Sequence, residues 1–62
     1  MCEANAYLAK EGGKELVLED VMILRPEDNQ IYLQNIFGEQ KQIRARIREM
    51  NLVDHQIILE QI

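Results

Sequence analysis

A chain of 62 residues with a single cysteine has no internal disulfide to close, and that limits its fold more than any other feature. A domain of this size buries only about 60% of the surface that its unfolded chain exposes. Ordering it costs about 1.5 kcal/mol per residue, a sum that roughly cancels the gain from burial in so small a core. A staple is therefore expected, and with disulfides excluded it should be a metal or a second subunit. Residues 1–62 leave room for one domain, with no repeat, linker or low-complexity tract to divide them. The lone thiol fits a reducing compartment. No run of about 18 apolar residues could span a membrane, and the first residues lack the basic and apolar regions of a signal peptide. A cytoplasmic location is the resulting expectation.

Apolar and polar residues alternate along much of the chain with the two-residue period of a strand. Cys2, Ala4, Ala6 and Leu8 share one face of the first segment, and Glu3, Asn5 and Tyr7 the other. Glu11-Gly12-Gly13 reads as a turn, because glycine accepts the positive φ of tight hairpins. Leu16 and Leu18 resume the alternation. After Asp20, the run Val21-Met22-Ile23-Leu24 suits a strand covered on both faces. Arg25-Pro26-Glu27-Asp28 has the form of a type I turn with proline second. Ile31 and Leu33 open a strand expected to continue through Phe37 to a break at Gly38. Val53-Asp54-His55 reads as a turn, and Ile57-Ile58-Leu59 as a closing strand.

The stretch 39–50 admits two readings. As a helix, it places Ile43, Ile47 and Met50 at i, i+4 and i+7. As a strand, it points Ile43, Ala45 and Ile47 inward and Arg44, Arg46 and Arg48 outward. The strand is preferred because every flanking element reads as β. The expected class is all-β, a small antiparallel meander sheet or partly open barrel. Met22, Met50 and the apolar runs at 21–24 and 57–59 are core or surface for a second subunit to cover, so a homodimer is expected.

Cys2 carries the functional reading. If Met1 is retained, its amine, the deprotonated Cys2 amide and the Cys2 sulfur can form two fused five-membered chelate rings. If Met1 is removed, the Cys2 amine and sulfur form one such ring. Mixed nitrogen and sulfur donors in a plane suit nickel(II) or copper(II), whereas zinc prefers a tetrahedron. One chain supplies only two or three of these donors, so a full site calls for two copies. The competing reading makes Cys2 the first small apolar residue of a core-facing stripe. Two other residues are weighed as ligands. His55, the only histidine, is read first as a surface residue beside Asp54, and Glu3 as an exposed strand glutamate.

The net charge is −4, yet Lys41, Arg44, Arg46 and Arg48 place four of the seven basic residues within eight positions. An interaction module binding RNA or an acidic protein through this 41–48 stripe is the alternative function. Nucleic acid is disfavoured because Tyr7, Tyr32 and Phe37, the only aromatics, do not interleave with the arginines. Ion pairing with the abundant acidic residues explains the stripe more simply. With one histidine, no serine and no glycine-rich phosphate loop, the chain offers no catalytic constellation, and an enzyme is not expected.

The opening MCEANAYL, the EDV at 19–21, the IFGEQK at 36–41 and the RIREMNLVDHQIILE at 46–60 together resemble the CooT-like family of small nickel-binding proteins. The likeness runs from Met1 to Glu60, and Cys2 matches the family's initial Met-Cys metal-binding signature. It implies a compact β fold, a homodimer, and nickel(II) held with Cys2 from each subunit. It also implies a metallochaperone-like role in nickel handling, by analogy to maturation of the nickel enzyme carbon monoxide dehydrogenase, with that enzyme or its maturation proteins as partners.

Overall fold

The two-residue apolar period builds strands throughout residues 4–62, the part that this computed structural model describes, and no helix forms. β1 spans Ala4–Lys10, β2 Gly13–Pro26, β3 Ile31–Asn35, β4 Gln40–Ile43, β5 Ala45–Asn51 and β6 Gln56–Gln61. They form one sheet in the order β4-β3-β2-β1-β6-β5. All neighbours are antiparallel except β1 and β6, which run parallel. The sheet is thus mixed, and it curls into a half-barrel. No helix among the described residues is long and apolar enough to cross a membrane.

The curl follows from chain connectivity. β4 and β5 stand at opposite edges of the sheet, yet only Arg44 separates them in sequence. Five strand spacings would hold the edges of a flat sheet about 24 Å apart. The two peptide units between Ile43 and Ala45 reach about 7 Å at most, so the edges must approach each other. The backbone N–H of Ile62 donates to the Arg44 carbonyl at 3.3 Å and secures the bend. The same crossover explains the parallel pair. After β5 the chain reverses once, and β6 enters beside β1 in the same direction.

Residues on the concave face form the core. Ala6, Leu18, Ile31, Leu33, Ala45, Ile57 and Leu59 are buried, with Leu8, Val17, Ile43 and Ile47 packed against them. The 39–50 stretch is two strands with the expected alternation: Ala45 is buried, Ile43 and Ile47 half-buried, and Arg44, Arg46 and Arg48 exposed. The turn at residues 11–12 also stands where glycine required it, with Gly12 at φ 87°.

Three local expectations are corrected. The run at 21–24 is not covered on both faces, since Met22 is 57% exposed and its neighbours half-buried. It continues the 14-residue β2, which bends at Asp20 (φ 54°) where its pairing with β1 shifts register. Pro26 ends that strand rather than seeding a turn. Among the described residues β1 pairs with β2 no further than Ala4 opposite Val21, so the missing proline N–H breaks no ladder on that side. The loop lies at residues 27–30, where Glu27 N–H donates to the Gln30 carbonyl at 2.8 Å.

β3, in turn, stops at Asn35 rather than Phe37. Asn35 is fully buried, and its Oδ1 accepts from the N–H groups of Phe37 (3.0 Å) and Glu39 (2.9 Å). Its Nδ2 donates to Glu39 Oε1 at 2.8 Å. Gly38, at φ 85°, completes the loop and leaves Ile36 and Phe37 exposed. Asn35→Ala strips acceptors from two backbone donors and should destabilise the fold by about 1–3 kcal/mol, read as a lower urea midpoint with unchanged slope.

Candidate functional site

The end of the half-barrel where β1 begins gathers several unusual features. Ala4 lies opposite Val21 of β2, and Asn5 opposite Gln56 of β6. Asn5 ties the two sides together. Its N–H donates to the His55 carbonyl at 2.9 Å, and its Oδ1 accepts from the Asp20 N–H at 3.1 Å. Asp20 (φ 54°) and His55 (φ 55°) are the only non-glycine residues with positive φ among those described. Each left-handed residue is disfavoured by about 1–2 kcal/mol, and one asparagine holds the backbone of both. Ile36 N–H donates to the Asp20 carbonyl at 3.1 Å, which brings the β3–β4 loop to the same place.

The β5–β6 turn is built locally. Asp54 N–H donates to Asn51 Oδ1 at 3.1 Å, and Asn51 Nδ2 donates to Asp54 Oδ2 at 3.0 Å. Asx side chains favour such turns. The exchange carries Leu52 and Val53 into solvent, 76% and 87% exposed. Met22 on β2 and Ile36 and Phe37 (65% exposed) in the β3–β4 loop are exposed apolar side chains as well. Met22 and Met50 are therefore surface residues rather than core. The four segments that carry the family resemblance all contribute to this end.

Cys2 and Glu3 lie outside the described residues. His55 is exposed, and Asp54 bonds Asn51 rather than His55. Among the described residues no three of His, Cys, Asp and Glu gather into a metal-holding group. These residues do not make a metal site by themselves, whereas backbone bonding does bring the His55 turn to the base of the N-terminal segment.

The basic stripe is divided between the two sheet edges, with Lys41 on β4, Arg44 at the bend, and Arg46 and Arg48 on β5. Arg46 Nε donates to Glu60 Oε1 at 2.7 Å across β5–β6, an exposed pair of the kind worth about 0–1 kcal/mol. Tyr7 lies 4.7 Å from Lys14, and Tyr32 lies 5.8 Å from Arg25. Neither ring offers the stripe a base-stacking platform. Sequence reasoning missed Asn5, Asn35 and Asn51, whose roles depend on partners that the fold supplies. The one available signal was the Asn51-x-x-Asp54 spacing of an Asx turn.

The profile of the CooT family, described as CO dehydrogenase accessory protein CooT, matches residues 1–60. An uncharacterised protein of Methanocaldococcus jannaschii is 32% identical over 60 residues, covering 97% of this chain and 98% of that relative. Another, from Methanothermobacter thermautotrophicus, is 33% identical over 60 residues and covers 97% and 89%. The crystal structure of a protein proposed to be CooT, from Carboxydothermus hydrogenoformans, matches with a TM-score of 0.90 and 44% identity over 98% of both chains.

The strained turn generates a prediction of its own. His55→Gly removes the left-handed penalty and should raise stability by up to about 1 kcal/mol, less what glycine's own chain entropy takes back. His55→Val, with a branched Cβ at positive φ, should lower it by about 1–2 kcal/mol. Urea unfolding of the two variants checks the order.

Proposed function

The chain belongs to the CooT family of CO dehydrogenase accessory proteins, and on that premise we propose that it binds nickel(II) as cargo through Cys2 at the interface of a homodimer. The family match carries the reading, because it begins at Met1 and so includes the Met-Cys start. Exposed apolar side chains supply a second support, because residues such as Met22, Phe37, Leu52 and Val53 are the kind of surface that a partner covers. Two copies meeting there bring two N-terminal segments together, and with them two thiolates and their neighbouring nitrogens. A domain this small gains the staple that its composition calls for.

The donor set has the right chemistry. Thiolate and amine or amide nitrogen in one plane satisfy nickel(II), and two chains supply what one lacks. Nickel held in this way is staged for a CO dehydrogenase or for the proteins that mature it. The chain acts on the metal's whereabouts rather than on a substrate bond, in keeping with an accessory role.

An anaerobic nickel titration of the parent chain and Cys2→Ala, followed by optical absorption and native mass, tests the reading. The parent should develop sulfur-to-nickel charge-transfer bands at one metal per dimer. Cys2→Ala should remain folded and dimeric while its affinity falls by at least about 100-fold. Equal binding by the variant would sink the proposal. Thiol and amine, with ordinary pKa values of about 8.5 and 8, must lose protons to bind. Nickel affinity should therefore fall as the pH is lowered from about 8 to 6. A flat profile would argue against both donors.

A further inference from the structure

At the end of the half-barrel opposite the start of β1, the β1–β2 hairpin and the bend at Arg44 enclose an open cleft of about 450 Å³. That volume falls among small-molecule sites, which span about 300–1,000 Å³ and favour the mouths of β-barrels. Half-buried Leu8, Val17 and Ile43 line it together with half-exposed Leu16, and exposed Lys41 and Arg44 stand at its side. The chain carries a net charge of −4, so two cations beside an apolar wall reverse its prevailing sign.

The third charge in the cleft is already matched. Glu15 pairs with Lys10. The Lys10 hydrogen bond and charge, with a smaller contribution from Lys41, hold the Glu15 carboxyl below the usual carboxylate range. Lys41 and Arg44 have no ion pair or side-chain hydrogen bond among the described residues. On its other side Arg44 borders the loop bearing Glu27 and Asp28. A ligand anion must therefore be compact. Glu27 and Asp28 beside Arg44, with the Lys10-paired Glu15 across the cleft, disfavour a phosphate chain or a broad acidic surface and favour a single carboxylate.

We propose that this cleft binds a small apolar monocarboxylate, its carboxylate against Lys41 and Arg44 and its hydrocarbon body against Leu8, Val17 and Ile43. The site is independent of the nickel reading, because it uses neither Cys2 nor the end of the sheet where β1 begins.

Octanoate, octanol, acetate and inorganic phosphate, titrated separately into the isotope-labelled full chain and followed by amide chemical shifts, test the proposal. Octanoate should saturate shifts at residues 14–17 and 41–44, with octanol and acetate each at least about tenfold weaker. Lys41→Gln with Arg44→Gln, both at exposed positions, should weaken octanoate about tenfold and leave octanol unchanged. Leu16→Asn, also exposed, should weaken octanoate and octanol alike. The parent's dispersed amide spectrum, retained in each variant, controls for folding. The proposal is overturned by octanoate shifts that scatter or fail to saturate, by equal octanoate binding in the double variant, or by a preference for phosphate. Octanoate binding only after dissociation of a dimer would also overturn it, because the partner subunit would then be the occupant.

Discussion

One residue joins the two edges of the sheet. Arg44 is all that separates β4 from β5, and the reach of two peptide units compels strands at opposite ends of the order to meet. A flat sheet is excluded by that linkage. The curl in turn supplies the concave face on which Ala6, Leu33 and Leu59 become fully buried. It also creates the cleft beside Arg44, and it sends β6 back alongside β1. Bends of this kind let a small barrel-like sheet limit its open edges. The outward arginines of β5 serve the same end, because charge on an edge strand discourages pairing with another chain.

The opposite end of the half-barrel is organised by polar contacts. Asn5 supports two left-handed residues, while Asn35 and Asn51 close the loops on either side. Strained backbone and tightly satisfied loops together display apolar side chains that a lone domain would rather bury. Strain that persists at one place needs its surroundings to hold it there. Here it lies at the base of the segment bearing Cys2. For an accessory protein of CO dehydrogenase, a stiff platform in β1 and its neighbours would suit the nickel-binding role that we propose for Cys2.

The two ends differ in chemical character. The β1 end offers backbone strain held by asparagines, and the Arg44 end offers an apolar cleft with two cations. The sheet keeps them apart along its strands. Polar and charged groups on the convex face, such as Arg46 with Glu60, contribute little energy and chiefly keep that surface wet.

The sequence by itself determined the all-β class, because a two-residue apolar period suits no other regular structure. It determined the inward set in 43–47, the turn at Gly12 and the family, whose segments are contiguous words in the chain. It also raised Cys2 as a candidate ligand beside a core-facing alternative, and the nickel role of Cys2 is our proposal. Tertiary structure decided what depends on distant partners. The parallel β1–β6 pair, the early end of β3 at Asn35 and the exposure of Met22 follow from which strands became neighbours, and local pattern carries no record of that. Met22 lies in an apolar run that reads as core, yet the sheet has only one concave face to bury it against. The cleft likewise exists only because Leu8 and Ile43, 35 positions apart in the chain, are brought to a common mouth by the turn at a single arginine.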